Sequence, residues 1–271
     1  MSPGIVISAW FNTYLEQLAS NIPRLVAIST LFIVFGILEL LLPAQSGQSL
    51  LGRMRNITFT LILIVGGVAL TSVIVLFIKV NPRVYAPGGP SQTLLVLSAT
   101  LLVSDFLFYW YHRAQHSFSW FWPIHELHHS DAELNVTTGM RSYFLEYPIQ
   151  TICLTLPTML IVGIDPVANV LLPFIMVAWL YFGHANLKVS LGRASKLICG
   201  PQVHRIHHSN LAQHRDKNFA QFFPFYDVWF GTYYEPARDE YPTTGTVTLA
   251  SDAPITEAMM KPFRGWWRGR L

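Results

Sequence analysis

The sequence has few charged residues for a chain of 271 residues. Lysine, arginine, aspartate and glutamate make up 12% of it and hydrophobic residues 52%, whereas a soluble globular domain carries about 25% charge. The formal net charge of +3 is small and no dense basic run is present, so no nucleic-acid partner is expected. Apolar segments at 25–43, 57–77 and 93–110 are each close to the roughly 20 residues that cross a bilayer.

Cysteine patterns and targeting signals are also lacking. Cys153 and Cys199 are the only cysteines, and they form neither a metal-binding motif nor a disulfide framework. No basic region precedes an apolar stretch at the N-terminus, so the sequence predicts no cleavable signal. Residues 4–20 instead predict a short helix that lies at the membrane surface.

The segment 148–182 is too long for one membrane crossing and is interrupted by the sequence GIDP. Histidines at 112–129 and 184–208 can share a site only if an even number of crossings separates them. We therefore predict a helical hairpin, spanning or re-entrant, with Asp165 at its tip in the far interface, where a carboxylate costs less than in hydrocarbon. The predicted fold is an all-α polytopic membrane bundle of three spans plus this hairpin, with a histidine-rich cap.

The predicted organisation is one integrated domain with three regions. Residues 1–91 contain the surface helix and the first two spans. Residues 92–236 contain the third span, the hairpin and the cap, and residues 237–271 form a C-terminal interfacial tail. Most lysines and arginines lie on the cap side, including Arg53 and Arg55 in a predicted polar turn between the first two spans. The positive-inside rule therefore places the cap in the cytoplasm.

Histidine is absent from the first 111 and the last 57 residues, and all ten histidines fall between 112 and 214. They form one HxxxH and two HxxHH patterns with one isolated histidine between the last two. Residues three or four apart lie on one face of a helix, so each pattern can present several imidazoles in one direction. Imidazole is a good ligand for iron, zinc and copper. Nine or ten histidines are too many for one ion and suit two.

These patterns resemble the fatty acid hydroxylase superfamily, which includes sterol desaturases, C4-methyl sterol oxidases and fatty acid 2-hydroxylases. The resemblance runs from about Leu94 to Pro236. It is carried by DFLFYWYHRAQH at 105–116, WPIHELHHS at 122–130, FGHANL at 182–187, VHRIHHS at 203–209 and HRDKNFAQFFPFYDVWFGTYY at 214–234. The sequence departs from the R-x-H-P-x-E segment of many members, since RSYFLE at 141–146 has Tyr143 at the histidine position.

The resemblance implies a di-iron centre, with zinc able to replace iron in purified protein, and a set of metal ligands. The implied ligands are His112, His116, His125, His128, His129, His184, His204, His207 and His208. His214 is a further candidate, which either binds metal, hydrogen-bonds a ligand or caps a turn. Polar residues that can orient the ligands from behind are Asp105, Asp131, Glu146, Asp216, Asn218 and Asp227.

The implied activity is oxidation of a lipid C–H bond, in a sterol or a fatty acyl chain, by hydroxylation or desaturation with dioxygen. No haem, flavin or nicotinamide motif is evident, so the electrons are expected from a separate ferredoxin or cytochrome-type protein. The expected location is the bacterial inner membrane or the endoplasmic reticulum. Two alternatives remain open: an intramembrane zinc protease, because His125, Glu126 and His129 satisfy H-E-x-x-H, and a non-catalytic membrane metal carrier. The sequence does not indicate an oligomeric state.

Overall fold

The structure is a computed structural model that describes residues 26–86 and 88–267. Within these ranges every regular element is a helix, and extended backbone occurs only as isolated bridges. The predicted all-α class is therefore confirmed. The predicted surface helix at 4–20 and the last four residues of the C-terminal tail lie outside the described residues.

Three helices are long and apolar enough to cross a membrane: α2 (Leu50–Phe77), α3 (Pro90–Ser117) and α7 (Pro166–His184). At about 1.5 Å per residue they are roughly 42, 42 and 28 Å long, against about 30 Å of hydrocarbon in a bilayer. The predicted first span appears in the described residues as the shorter apolar helix α1 (Val26–Leu41). The predicted third span is α3, which continues as one helix through His112 and His116 and is longer than the hydrocarbon thickness of a bilayer.

The predicted polar turn at Arg53 and Arg55 is wrong, because both residues lie inside α2. The helix begins where the Ser49 hydroxyl accepts a hydrogen bond from the backbone N–H of Gly52 at 3.0 Å, which satisfies one free N-terminal donor. The charged Arg53 side chain forms an ion pair with Glu39 of α1 at 2.7 Å. This ion pair allows Arg53 to lie in the helix N-terminal to its apolar run.

The predicted hairpin consists of two limbs that meet at Asp165. The first limb contains α5 (Glu146–Gln150), a π-helical turn (Thr151–Thr155) and α6 (Leu156–Val162), and the second limb is α7. The Asp165 carboxylate accepts hydrogen bonds from two backbone N–H groups of α7 and from Gln92. The tip therefore packs beside the connection at 81–92, and α3 and α7 run side by side from this end towards the histidines.

The cap is built from short helices and loops around the C-terminal ends of α3 and α7. Its helices are α4 (Trp122–His129), α8 (Pro201–His207), α9 (Phe225–Phe230) and α10 (Ile255–Trp267). The core of the cap includes Phe59, Tyr111, Leu127 and Tyr143, all buried. This packing fixes α4 between the end of α3 and the amphipathic helix α10.

A buried carboxylate joins α1 to the cap. Glu39 is 2% exposed and accepts hydrogen bonds from the backbone N–H groups of Val136 and Asn186 at 2.6 and 2.7 Å, besides pairing with Arg53. Three partners compensate the cost of burying this charge. The segments that follow His129 and His184 in the chain are thereby held to the same end of α1.

Candidate metal centre

Four helices position the histidines. The C-terminal turns of α3 present His112 and His116, which are four residues apart and so lie on one face. Helix α4 carries the HxxHH pattern and opens with Pro123 in its first turn, where the missing N–H has no helical partner in any case. Helix α8 carries His204 and His207 of the second HxxHH pattern, His208 caps its C-terminal end, and His184 is the last residue of α7.

Nine of the ten histidines come together in two clusters, in each of which one ring nitrogen or equivalent ligand atom per residue lies within 4.8 Å of the others. The first cluster contains five residues: His112, His116, His125, His129 and His207. The second contains four: His128, His184, His204 and His208. Each cluster combines histidines that are distant in sequence, and α4 and α8 contribute to both.

The spacing of the facing nitrogens fits metal ligation. In the first cluster the Nε2 atoms of His112 and His125 are 2.9 Å apart, and those of His116 and His129 are 3.2 Å apart. In the second, the Nε2 atom of His184 lies 3.1 Å from that of His128 and 2.9 Å from that of His204. Metal–nitrogen bonds of about 2.0–2.1 Å at right angles or wider separate neighbouring ligand atoms by about 3 Å.

A second observation points to the same chemistry. His207 Nε2 is buried and has no hydrogen-bond partner among the described residues. A buried polar atom of this kind costs free energy unless some group satisfies it. Because the five ligand atoms of this cluster all lie within 4.8 Å of one another, a cation shared by the cluster is the group that would satisfy them all. The donor set of each cluster therefore fits a metal ion.

The ring nitrogens on the far side of the clusters have oxygen acceptors. The Nδ1 atom of His112 lies 2.7 Å from the carbonyl oxygen of Phe219, and that of His207 lies 2.8 Å from the carbonyl oxygen of Lys217. In the second cluster, the Nδ1 atom of His128 lies within hydrogen-bond distance of the carbonyl oxygen of Arg141, and that of His184 of the carbonyl oxygen of Leu180. Since a carbonyl can only accept, each Nδ1 carries the proton and each Nε2 is left as the metal-binding atom.

Two of the predicted orienting carboxylates contact a clustered histidine. Glu146 Oε1 lies 3.3 Å from Nδ1 of His125, and the same carboxylate accepts hydrogen bonds from Tyr111 and Gln115, both at 2.6 Å. Asp216 Oδ1 lies 3.4 Å from Nδ1 of His116. Both contacts belong to the five-histidine cluster.

The other four predicted orienting residues contact no clustered histidine; three of them bond the backbone and Asp131 bonds side chains. Asp105 accepts from the N–H groups of residues 221–223, and Asp227 accepts from those of residues 219 and 220. Both carboxylates hold one loop in place, and the Phe219 carbonyl of this loop accepts the hydrogen bond from Nδ1 of His112. Asn218 bonds the backbone of Val203 and Tyr234, and Asp131 bonds Asn56 and Thr138.

His214 lies outside both clusters. Its Nδ1 atom is 2.9 Å from the Ser209 hydroxyl, and its Nε2 atom is 3.0 Å from Oε1 of Glu240, which also accepts from the hydroxyl of Tyr234. Both ring nitrogens therefore have protein partners. Through these partners His214 ties the loop after α8 to the segment at 234–240.

Burial keeps the clustered imidazoles neutral. Desolvation disfavours the imidazolium and is the largest cause of a lowered pKa, and neighbouring histidines lower the pKa further by repulsion. The pKa falls well below the usual 6.5 for the six cluster histidines outside the membrane-length helices: His125, His128, His129, His204, His207 and His208. A neutral imidazole is the form that binds metal.

Two buried arginines were missed by the sequence analysis. Arg141 is 1% exposed and donates to the backbone carbonyl of Leu127 and to the side chains of Asn56 and Ser130. Arg205 is 2% exposed and donates to the side chain of Asn186. Desolvation lowers the pKa of each guanidinium to about 10. The available signals were that Arg205 lies within the second HxxHH pattern and that Arg141 opens RSYFLE at 141–146, because nothing local distinguishes a buried arginine from an exposed one.

A cavity of about 490 Å³ connects the histidines to the membrane-spanning part of the bundle. Five histidines from both clusters line one end: His112, His125, His128, His184 and His204. The middle is lined mainly by apolar side chains of α3, α6 and α7, and the other end reaches the hairpin tip at residues 163–165. An apolar passage therefore leads through the bundle to the imidazoles.

Glu126 is directed away from the clusters although it lies between two histidines in sequence. Its carboxylate forms an ion pair with Lys261 of α10 at 2.6 Å and accepts a hydrogen bond from Thr248. This geometry does not favour the H-E-x-x-H alternative, in which the glutamate must reach a metal-bound water.

Comparison with known proteins identifies the family. A family model described as fatty acid hydroxylase matches residues 97–232, which cover every histidine. Alkylglycerol monooxygenase of Xenopus tropicalis is 31% identical over 141 residues, 49% of this chain and 29% of that protein. Ornithine lipid hydroxylase of Rhizobium tropici is 26% identical over 147 residues, 51% of this chain and 41% of that protein. Protein CER1-like 2 of Arabidopsis thaliana is 29% identical over 179 residues, 60% of this chain and 28% of that protein.

These matches cover less than half the length of each of the three relatives. No solved structure matches the chain. The family model nevertheless spans 136 of 271 residues (97 to 232 inclusive), which is half of the chain, and it covers the whole histidine region. The chain belongs to the fatty acid hydroxylase family.

Proposed function

We propose that this protein is a membrane-bound, non-haem di-iron oxidoreductase that uses dioxygen and external electrons to hydroxylate or desaturate a C–H bond of a lipid. The observation that carries the proposal is the pair of histidine clusters at the end of an apolar cavity. The names of the relatives support it, since they include a lipid hydroxylase and alkylglycerol monooxygenases.

The five-histidine and four-histidine clusters would each hold one metal ion. Iron would supply the redox chemistry with dioxygen that zinc, which lacks redox activity, does not offer. Zinc can nevertheless occupy such a site in purified protein, because imidazole-rich sites bind it more tightly than Fe(II). The residues proposed as ligands are the nine clustered histidines.

The protein supplies orientation, access and exclusion of water. The carbonyls of Phe219, Lys217 and Arg141 and the carboxylate of Glu146 hold imidazole rings from behind, which fixes both tautomer and direction. The apolar lining admits a lipid chain and disfavours water. A chain in the cavity lies against His112, His125 and His128 without leaving the bundle.

Both outcomes require two electrons and two protons from outside. In hydroxylation one oxygen atom of O₂ enters the C–H bond and the other leaves as water. In desaturation two hydrogens leave the lipid, and O₂ is reduced to two molecules of water. We propose that a ferredoxin or cytochrome-type protein supplies the electrons, because the chain has no recognisable motif for a redox cofactor other than the metals.

The metal site is proposed to lie on the cytoplasmic face of a bacterial inner membrane or the endoplasmic reticulum. The basic residues of the cap support this orientation, while Lys79 and Arg83 lie towards the opposite end. Residues 92–236 are proposed as the catalytic region. No observation favours the metal-carrier alternative, since the histidines cluster at one end of the bundle and not along a path through it.

The test is oxygen-dependent lipid oxidation by purified, iron-reconstituted protein supplied with a chemical reductant and a ferredoxin. A membrane lipid extract serves as the substrate mixture, and mass spectrometry detects gain of one oxygen atom or loss of two hydrogens. His204→Ala should abolish the change, whereas the buried but unclustered His214→Ala should retain it if the variant folds. Oxidation that is equal in wild type and His204→Ala would refute the proposal.

A further inference from the structure

A groove of about 750 Å³ runs along the outside of the bundle between α3 and α6. It is distinct from the cavity that leads to the histidines, since Val96 alone among the described lining residues belongs to both. Leu95 and Ile161 on its walls are 70% and 64% exposed, so the groove is open along its side. Because α3 is one of the membrane-length helices, this open side faces the lipid of the bilayer.

The groove is apolar along most of its length. Leu95, Ala99 and Val103 follow one another at four-residue intervals and form the wall on α3. Ile161 and Val162 of α6 form the other wall. Ala99 contributes only a methyl group at the centre of the wall on α3, which leaves room there for a hydrocarbon chain.

The end of the groove at the hairpin tip is polar and carries a positive charge. Its lining residues are Arg83, Tyr85, Ser91 and Gln92. Cζ of Arg83 lies 4.7 Å from the centroid of the Tyr85 ring, a cation–π contact that directs the guanidinium. In the part of the chain that the structure describes, this guanidinium has no hydrogen-bond or ion-pair partner, so its N–H donors are available to a ligand.

Backbone hydrogen bonds fix Arg83 beside the tip. The N–H of Ile164 donates to the carbonyl of Arg83, and the N–H of Tyr85 donates to the carbonyl of Ile164, both at 2.8 Å. The Tyr85 hydroxyl donates to the carbonyl of Val162 at 2.9 Å. The charge is thereby held at the end of the groove by the C-terminal end of α6.

A carboxylate near this end does not compete for Arg83. Asp165 does not line the groove, and it accepts hydrogen bonds from two backbone N–H groups of α7, from Gln92 and from Thr93. Four donors already compensate its charge. The Arg83 charge is therefore the one presented to the groove.

The length of the groove matches one leaflet of a bilayer. From Ser91 to Val103 the wall on α3 covers 12 residues, or about 18 Å at 1.5 Å per residue. One leaflet contains about 15 Å of hydrocarbon, half of the total. An extended acyl chain advances about 1.25 Å per carbon, so roughly 14 carbons cover the groove.

A phosphate group suits the polar end. A guanidinium binds phosphate oxygens through several N–H donors in one plane, and these hydrogen bonds are charge-assisted. The surrounding lipid tails are as apolar as the groove, so burial of apolar surface alone gives no preference for it. Selectivity must come from the head group and from the packing of the chain.

We propose that this groove holds a resident phospholipid of the leaflet at the hairpin tip. Its phosphate binds Arg83 and the Ser91 hydroxyl, and one acyl chain lies along Ala99 between α3 and α6. The lipid joins the third span to the first limb of the hairpin. This inference goes beyond the proposed function and depends on neither the metals nor lipid oxidation.

The head group is tested with the purified full chain, delipidated in detergent. Native mass spectrometry measures its affinity for dimyristoyl phosphatidylglycerol and for dimyristoylglycerol, which have the same acyl chains and differ in the phosphate-bearing head group. Wild type should bind the phospholipid about tenfold more tightly, and Arg83→Gln should remove this preference. Lys79→Gln, exposed near the same end and outside the groove, should keep it.

The acyl chain is tested by filling the groove. Ala99→Phe should reduce the affinity for the phospholipid about as much as Arg83→Gln does. Ser98→Phe is the matched control, because Ser98 is exposed on α3 and lines neither the groove nor the cavity, and it should bind as wild type does. The unfolding midpoint of the lipid-free protein checks that each variant folds, and Val103→Phe replaces Ala99→Phe if that variant does not.

Three results would overturn the proposal. Equal affinity of wild type for the two lipids, or an equal loss of preference in Lys79→Gln and Arg83→Gln, would reject the phosphate site. Wild-type affinity in both Ala99→Phe and Val103→Phe would reject the chain position. Inorganic phosphate alone that raises the unfolding midpoint as much as the phospholipid does would show a site for a free anion and not for a lipid.

Discussion

Glu126 follows His125 directly in the chain, yet its carboxylate pairs with Lys261 of α10 at 2.6 Å and not with any clustered imidazole. Consecutive residues on an α-helix point about 100° apart, because 3.6 residues complete a turn. The HxxHH face of α4 can therefore serve both clusters while Glu126 fastens α4 to the C-terminal helix. This pairing separates an oxidase from a zinc protease experimentally.

Glu126→Gln should keep both metals and a measurable fraction of lipid oxidation. It loses the ion pair with Lys261, which we expect to lower the free energy of unfolding by about 1–3 kcal/mol. His204→Ala, outside the H-E-x-x-H motif, should abolish metal binding at the four-histidine cluster and activity. Elemental analysis measures the metal content of each variant, and the oxidation assay measures its activity. A zinc protease would give the reverse order, with Glu126→Gln inactive and His204→Ala active.

Wild-type protein should contain about two metal ions per chain, one for each cluster. His208→Ala leaves three imidazoles in its cluster and should retain about one ion after dialysis, with loss of activity. His214→Ala is the matched control, since this histidine is bonded to Ser209 and Glu240, and it should retain two ions. One ion or fewer in active wild-type protein would contradict the two-site interpretation.

Glu146→Gln should weaken metal binding at the five-histidine cluster by about 10- to 100-fold, because the carboxylate that holds Nδ1 of His125 becomes a neutral amide. The metal content of the four-histidine cluster should stay unchanged. Metal affinity measured by chelator competition distinguishes the two. Glu257→Gln, at an exposed site on α10, should alter neither cluster, and an equal loss from both clusters would indicate general unfolding instead.

The metal-free protein should lose stability as the pH falls below about 6.5. The folded-state pKa of six histidines is lowered well below 6.5 by burial, so between the two pKa values only the unfolded chain binds protons. Stability is then fully present above 6.5 and falls by about 1.4 kcal/mol per pH unit for each such histidine. Unfolding midpoints measured with a chelator across this range test the sign. A stability that is flat or increases on acidification would contradict the buried, neutral state.

Single cysteines should show that the cap and the hairpin tip lie on opposite sides of the membrane. Ala212 in the cap and Ser91 beside the tip are both exposed, and exposed Cys153 is replaced by serine in the background. A membrane-impermeant maleimide should label Ala212→Cys only from the cytoplasmic side and Ser91→Cys only from the other. Labelling of both from one side would refute the predicted topology.

The sequence by itself determined the class of the protein and the residues that come together. Long apolar segments require helices in a bilayer, because backbone groups in hydrocarbon must bond internally. The HxxxH and HxxHH spacings place imidazoles on single helix faces. The hairpin followed from the requirement that the histidines at 112–129 and at 184–208 lie on the same side of the membrane. These inferences depend on local periodicity and chain length, which a sequence displays directly.

Only the tertiary structure decided how nine histidines divide into groups of five and four, since α4 and α8 each contribute to both clusters. It also decided that His214 belongs to neither, that backbone carbonyls such as that of Phe219 orient the rings, and that Arg53 and Arg55 are helical. Glu39, far from the histidines in sequence, bonds the backbone of the cap. Such contacts join residues up to 147 positions apart. Their free energy depends on distances and burial that arise only when the helices pack, so no local pattern encodes them.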